Sequence, residues 1–184
     1  MATTIELIHD LLEQYGLDLS DPNLVDTPKR VSRVLDEFTG FGIDFDVEYD
    51  KLAKSVFPHK GDNMVIAVGI MAWSCCPHHL LPIKLNVSIA YLPHGYVIGV
   101  SKLARFAKLC ARKLQLQEDY TRNLGMTLQK WLHTDDVAVL VKGRHTCMEM
   151  RGVETEAEII TSEVLGAFRK EPSVRQEFLQ LIHK

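Results

Sequence analysis

Two β-rich runs separated by a short connection constrain the fold of this 184-residue chain more than any other feature. The runs are "MVIAVGIMAW" (64–73) and "IKLNVSIAY" (83–91), and "SCCPHHLLP" (74–82) joins them. The second run alternates, so that one face of the strand carries Ile83, Leu85, Val87, Ile89 and Tyr91. Because so short a connection suits antiparallel partners, the sequence predicts a hairpin with a histidine- and cysteine-rich turn.

Helices are predicted on the N-terminal side of this hairpin. Thr3 and Glu6 have the spacing of a capping box, and the apolar stripe that follows ends before Gly16. In "DTPKRVSRVLDEFTG", Thr27 is the expected N-cap and Gly40 the expected stop. The first part of the chain is therefore predicted to be mainly helical.

A second helical region and further strands follow the hairpin. Ser101 is the expected N-cap of a long helical region that extends to about residue 132, with a break near "QLQED". Strands are predicted at 136–143, at 144–153 and in "TEAEIITS", and the chain closes with the helix "PSVRQEFLQLI". This order predicts an α+β fold with an antiparallel sheet.

Composition is typical of one globular domain, at 46% hydrophobic and 24% charged residues. The net charge of −3 gives no basic field for nucleic acid or an acidic membrane. We expect no secretory signal in "MATTIELIHDLLEQYG" and no membrane span, since no apolar run approaches about 20 residues. The few cysteines, Cys75, Cys76, Cys110 and Cys147, favour metal binding or catalysis over a disulfide framework. We therefore expect a cytoplasmic protein.

Cys76 and His79 have the C-x-x-H spacing that lets two ligands converge on one zinc ion. Cys147 is the best candidate for a third ligand. If its segment is a regular strand, one face carries His145, Cys147, Glu149 and Arg151. Two sulfurs and one imidazole would leave the fourth zinc position open for water, as in catalytic sites. The alternative is that Cys76 packs as a small hydrophobic residue and His79 ends a turn.

Other polar residues fall into three groups. His78 and His145 are candidates for a general acid/base pair beside the metal, or for supporting and turn histidines. Lys102, Arg105 and Lys108 near a helix start suit phosphate binding, although a solvated basic face is commoner. Gln117 and Glu118 could bind the donor edge of a purine, or could be ordinary residues of a helix surface.

Taken together, these segments resemble the GTP cyclohydrolase I family. The resemblance covers most of the chain and keeps the family's order, in "DPNLVDTPKRV", "CCPHHLLP", "YLPHGYVIGVSKLARF", "QLQE", "HTCMEMRGV", "TSEVLGAF" and "RQEFL". It implies hydrolytic opening of the imidazole ring of GTP, release of C8 as formate and formation of 7,8-dihydroneopterin triphosphate. The product would feed folate, biopterin or deazapurine synthesis.

The resemblance also implies roles for individual residues. The zinc ligands would be Cys76, His79 and Cys147, and the proton-transferring residues His78 and His145. Gln117 and Glu118 would hold guanine. Residues matching the triphosphate pocket are Ser101, Lys102, Arg105, Arg151, Arg30 and Arg33.

The fold implied by the resemblance is the tunnelling fold, or T-fold, an antiparallel sheet with helices packed on one side. We expect a single domain over 1–184, with a mainly helical part at 1–60 and the T-fold core at 61–184. Subunits of the family form a ring, commonly a decamer of two pentamers, with active sites at subunit interfaces. Ring closure would cover exposed strand edges.

The chain departs from the family pattern at the metal turn. The family usually has Cys-Glu-His-His where this chain has Cys76, Pro77, His78 and His79. A residue without an ionisable group replaces an acid there. Two further hypotheses therefore stand beside GTP cyclohydrolase I: an enzyme that acts on a variant purine nucleotide or stops at a formylated intermediate, and a catalytically silent nucleotide-binding ring protein.

Overall fold

The computed structural model describes residues 2–182 and divides the chain into two compact units, Met1–Gly42 and Ile43–Lys184. The N-terminal unit contains two helices, α1 (Thr4–Gln14) and α2 (Thr27–Thr39). The capping box predicted at α1 is present, since Thr3 Oγ1 accepts a hydrogen bond from Glu6 N at 3.2 Å while Glu6 Oε2 accepts from Thr3 N at 2.6 Å.

The predicted ends of α2 are close to the observed ones. Asp26 is the N-cap, so the prediction of Thr27 was wrong by one residue, and Thr27 opens the helix. Gly40 ends the helix with φ of 65°, a left-handed conformation that glycine adopts without a Cβ clash. The predicted glycine stop is therefore confirmed.

The second unit contains a four-stranded antiparallel sheet in the order β2-β3-β5-β6 and a two-stranded sheet of β1 and β4. Its elements in chain order are α3 (Phe45–Ala53), β1 (Val56–Pro58), β2 (Val65–Cys75), β3 (Pro82–Tyr91), β4 (Tyr96–Ile98), α4 (Val100–Ala111), α5 (Gln117–Leu132), β5 (Val137–His145), α6 (Thr146–Glu149), β6 (Glu158–Val164), α7 (Ala167–Lys170) and α8 (Pro172–Ile182). The predicted hairpin is the pair β2 and β3, and the predicted α+β class is confirmed.

The core lies mainly between the sheet and helices α4 and α5. All five alternating residues of β3 named above are buried, and they share one cluster with Phe106, Tyr120 and Leu124 of the two helices. On the opposite face, α7 and α8 cover one end of the sheet, where Phe168 and Phe178 pack against Ala90 and Ala138. The alternation in the sequence therefore identified the face of β3 that packs against α4 and α5.

The break predicted in the long helical region is also present, between α4 and α5. The prediction of Ser101 as the N-cap of α4 was wrong, because the N-cap is Gly99 and Ser101 lies in the first turn. No helix in the described part of the chain is long and apolar enough to cross a membrane.

The strand predicted at 144–153 was wrong beyond His145. Pairing of β5 with β3 ends at Ile83↔His145, and pairing with β6 ends at Arg144↔Glu158. The next residues have lost both partner strands, so their backbone groups bond locally, as in the bond from Met150 N to Thr146 O at 3.0 Å. The segment turns into α6, and the predicted shared strand face does not form.

Candidate metal centre and adjoining cavity

The turn between β2 and β3 brings Cys76 and His79 together. Cys76 N donates to Leu81 O and Leu80 N donates to Cys76 O, both at 2.9 Å, so the turn is closed on itself. Leu80 adopts a left-handed φ of 55°, an uncommon conformation for a residue with a branched side chain. The result is a distance of 3.7 Å between Cys76 Sγ and His79 Nδ1.

Helix α6 brings Cys147 to the same place. Thr146 Oγ1 donates to Pro82 O at 2.7 Å, which ties the start of α6 to the start of β3. Cys147 Sγ then lies 3.8 Å from Cys76 Sγ, and the ligand atoms of Cys76, His79 and Cys147 all lie within 4.8 Å of one another. Cys147, the third ligand predicted from the sequence, therefore lies beside the other two candidates, although it is on a helix and not on a strand.

These distances fit a tetrahedral zinc ion. With Zn–S of about 2.3 Å and Zn–N of about 2.0–2.1 Å, tetrahedral angles put two sulfurs about 3.8 Å apart and a sulfur and a nitrogen about 3.6 Å apart. The observed separations are 3.8 Å and 3.7 Å, and the four cysteines are free. Three protein ligands also leave one tetrahedral position open, which distinguishes catalytic from structural zinc sites.

The thiol of Cys147 resists ionisation in this setting. Burial, followed by the hydrogen bond and the charge of Cys76, raises the pKa of the Cys147 thiol, and the positive charge of Arg151 opposes this increase. Because zinc binds thiolates, metal uptake would release protons and weaken as the pH falls. The pair is suited to a divalent ion with an affinity for sulfur.

His145 lies beside the metal cluster and is held by Gln117. Their side chains are joined by a hydrogen bond of 2.9 Å between His145 Nε2 and Gln117 Oε1. Burial lowers the pKa of His145 below its usual value, while the charges of Glu118 and Glu149 act in the opposite direction. Burial thus favours the neutral form of the imidazole, the form that accepts a proton.

His78 has a different setting, in the exposed turn itself. Its Nδ1 lies 3.9 Å from Cys76 Sγ, and its ring stands edge-on to that of His79 with centroids 6.1 Å apart. His78 is therefore a neighbour of two of the candidate metal ligands.

A cavity of about 340 Å³ adjoins the cluster, a size typical of small-ligand sites. It combines candidate ligands, both histidines and the start of α5 with apolar walls. Its lining consists of Cys76, Pro77, His78, His79, Ile83, Gln115, Leu116, Gln117, Glu118, His145, Cys147, Met148 and Ile159. Gln117 and Glu118, which the sequence predicts as purine-binding residues, thus lie beside the candidate metal centre. The Gln117 amide is buried and the Glu118 carboxylate is exposed.

The predicted phosphate-binding residues do not line this cavity. Ser101, Lys102 and Arg105 lie on α4, and Arg151 is exposed just after α6. Arg30 and Arg33 are exposed on α2 of the N-terminal unit, where Arg30 Nη2 lies 3.3 Å from Asp26 Oδ2. Their roles remain predictions.

Three residues that were not predicted from the sequence support Gln117: Gly143, Thr121 and Thr161. The hydroxyls of Thr121 and Thr161 lie 2.6 Å apart, and a Cβ on Gly143 would overlap the Gln117 amide. A glycine inside a strand signals the close approach of another group. Gly143 in "VLVKGRH" carried that signal.

Comparison with known proteins agrees with this geometry. The sequence model of the family described as GTP cyclohydrolase I matches residues 4–183. GTP cyclohydrolase 1 of Methylococcus capsulatus is 41% identical over 177 residues, covering 96% of this chain and 95% of that protein. The enzyme of the same name from Alkalilimnicola ehrlichii is 43% identical over 174 residues (94% and 92%).

Two further comparisons differ in how much they support the family assignment. GTP cyclohydrolase 1 of Coxiella burnetii is 39% identical over 191 residues, with both chains fully covered. The crystal structure of the archaeosine synthase QueF-Like in the apo form superposes with a TM-score of 0.46 at 19% identity, covering 56% of this chain and 96% of that one, which adds nothing to the assignment. On the family match and the full-length relatives, this chain belongs to the GTP cyclohydrolase I family.

Proposed function

We propose that this protein is a zinc-dependent GTP cyclohydrolase I. It opens the imidazole ring of GTP by hydrolysis, releases C8 as formate and rearranges the remainder to 7,8-dihydroneopterin triphosphate. The observation that carries the proposal is a three-ligand zinc-type cluster beside a cavity that contains two histidines and Glu118. Full-length relatives named GTP cyclohydrolase 1 support the same reaction.

Cys76, His79 and Cys147 would hold the zinc ion, as their separations support. A zinc ion held by these residues would supply Lewis-acid chemistry, lowering the pKa of a bound water toward about 7. The protein contributes the fixed positions of the ligands, since the closed turn and the tie between Thr146 and Pro82 hold them in place.

His145 and His78 are the proposed proton-transfer residues. Burial lowers the pKa of His145 and so favours the neutral ring, which is the form that accepts a proton. His78 lies in the turn, with its Nδ1 3.9 Å from Cys76 Sγ. Two imidazoles on two different elements suit a reaction with several proton transfers.

Guanine recognition is assigned to the start of α5. Glu118 offers a carboxylate at the cavity, and a carboxylate can accept hydrogen bonds from the ring and exocyclic N–H groups of guanine. Gln117, the neighbouring residue, lines the same cavity. Ser101, Lys102, Arg105 and Arg151, with Arg30 and Arg33, are the proposed triphosphate-binding residues.

The active protein is proposed to be a ring of identical subunits, a decamer of two pentamers, in which neighbours share each site. Two features support an assembly. β2 and β6 are edge strands of their sheet, and large side chains on them are exposed, among them Met71, Trp73 and Ile160. Open edges and exposed apolar side chains are typical of surfaces that pair with another chain. We further propose a cytoplasmic protein without a nucleic-acid or membrane partner.

Incubation of the zinc-loaded protein with GTP tests the proposal, with formate release and the near-UV absorbance of a dihydropterin followed together. We expect both products in equal amounts. Formate without pterin would indicate the truncated reaction, and bound GTP without either product would indicate the silent nucleotide-binding protein. Either result would overturn the proposal.

Pro77 lines the cavity where the family usually has an acid, so a variant nucleotide is the second candidate. The same assay with the triphosphates of deoxyguanosine, inosine and adenosine separates the two. We expect GTP to give the highest kcat/KM, and a higher value for another nucleotide would favour the second candidate. Pro77→Glu measures what this position contributes to turnover.

A further inference from the structure

The buried amide of Gln117 is anchored to the sheet by its nitrogen. Nε2 donates to Ile159 O at 2.8 Å and to Thr161 Oγ1 at 3.1 Å, and Val141 O lies 3.4 Å away. Gln117 is 3% exposed. Both N–H bonds of the amide are therefore directed to β5 and β6, and neither is available to a ligand in the cavity.

These contacts also determine the orientation of the Gln117 amide, that is, which of its two terminal atoms is the nitrogen and which is the oxygen. Backbone carbonyls accept hydrogen bonds and cannot donate them, so the atom that faces Ile159 O and Val141 O must be the nitrogen. The oxygen, Oε1, must then face His145 Nε2 at 2.9 Å. An amide oxygen accepts only, so Nε2 of His145 must carry the proton of this hydrogen bond.

The neutral ring of His145 is thereby restricted to one tautomer. With hydrogen on Nε2, the lone pair of the neutral ring is on Nδ1. The amide sets the direction of the ring as well, because His145 ends β5 while Gln117 begins α5, and their bond joins the two elements.

Space for the amide depends on Gly143. This residue pairs with Ile159 in the sheet, and a Cβ built on it would overlap Oε1 of Gln117 and crowd the rest of the amide. Any side chain at 143 would displace the amide from the carbonyls that orient it. Thr121, whose hydroxyl donates to Gln117 O at 2.8 Å and lies 2.6 Å from that of Thr161, closes the network.

From this geometry we propose that Gln117 is a positioning residue that acts through His145, and that Gly143 exists in this strand to admit its amide. Gln117 holds the imidazole in one orientation with hydrogen on Nε2, and it does not read the purine. This inference rests on the proposed function. Of Gln117 and Glu118, it assigns side-chain recognition of guanine to Glu118 alone.

Kinetics of Gln117→Met test the proposal, because Met has a similar length and cannot form the hydrogen bonds. We expect kcat for formate release to fall about 10- to 100-fold, as for other residues that orient a catalytic group, with KM changed less than about threefold. Gly143→Ala, which keeps every hydrogen-bonding group, should lower kcat in the same way. Asn123→Ala, an exposed change on the same helix α5, is the control.

Affinity separates positioning from purine contact. In the His145→Ala background, which slows turnover, the Kd of GTP measured by calorimetry should stay within about twofold when Gln117→Met is added. A Kd raised about tenfold or more would overturn the proposal, as would unchanged kcat in both Gln117→Met and Gly143→Ala. The formate assay of the wild-type protein tests the proposed function separately.

A crystal structure of Gln117→Met gives a readout that needs no activity. We expect the His145 ring to rotate or to lose its single orientation while Cys147 stays in place. A ring that keeps its orientation would contradict the proposal even if the protein were inactive on GTP. If Gln117→Met fails to fold, the structure of Gly143→Ala answers the same question.

Discussion

The two histidines of the site differ in what holds them. His145 ends a strand that is paired on both sides, and its Nε2 is bonded to an amide that is itself anchored to two strands. His78 is exposed in a turn, between the candidate metal ligands Cys76 and His79. The sheet therefore sets the position of His145 before any metal binds, whereas the position of His78 depends on the turn and on the ion that fixes the turn.

Loss of a ligand should have the largest effect, because it removes the ion that the turn needs. For Cys147→Ser we expect zinc affinity at least about 100-fold weaker and formate release reduced accordingly, since a hydroxyl is a poor replacement for a thiolate. Metal content after dialysis, measured beside activity, checks this. Cys75→Ala, a buried cysteine outside the cluster, is the control and should keep its zinc.

Substitution of the two histidines should come next in size. His145→Ala should lower kcat about 100- to 10,000-fold, the range expected when a proton-transfer group is lost. His78→Ala should also lower kcat, with zinc content retained in both variants. Pterin formation that survives His145→Ala unchanged would contradict its role.

The free energy of unfolding should distinguish His145 from His78 more clearly than kcat does. His145→Ala leaves the buried Gln117 Oε1 without its donor, so we expect the free energy of unfolding to fall by about 1–3 kcal/mol. His78→Ala removes an exposed side chain and should cost less than about 0.5 kcal/mol. Denaturant unfolding of the zinc-free proteins measures the difference, and equal losses would argue against the distinction.

Metal removal should have the smallest effect on the sheet and a local effect on the turn. Amide hydrogen exchange at residues 76–81 should become about tenfold faster without zinc, because the two turn bonds lose the support of the ion. Exchange in β5 should hardly change, since that strand is paired on both sides. Comparable acceleration in both segments would mean that the sheet also depends on the metal.

Patterns with a local physical cause were predictable from the sequence. Alternation identified the buried face of β3, and the short connection between two strands placed Cys76 and His79 in one turn. The capping box of α1 and the glycine that ends α2 depend only on neighbouring residues, and both are present.

Features that depend on partners distant in the sequence were not predictable in the same way. The end of β5 at His145 is set by where its partner strands end, which no pattern within 144–153 records. Cys147, which was predicted as the third ligand on the premise of a strand, does lie near Cys76, but the contact that brings it there is made by Thr146 and Pro82. The support of Gln117 by Thr161 likewise joins residues far apart in the chain.

Formate release from GTP before and after removal of zinc tests the central claim most directly. We expect activity in the zinc-loaded protein, its loss after chelation and its return when zinc is restored, with Cys147→Ser inactive at the same zinc concentration. Formate release that persists after chelation, at full rate and with no zinc detected in the protein, would contradict the assignment of Cys76, His79 and Cys147 as the metal centre of the reaction.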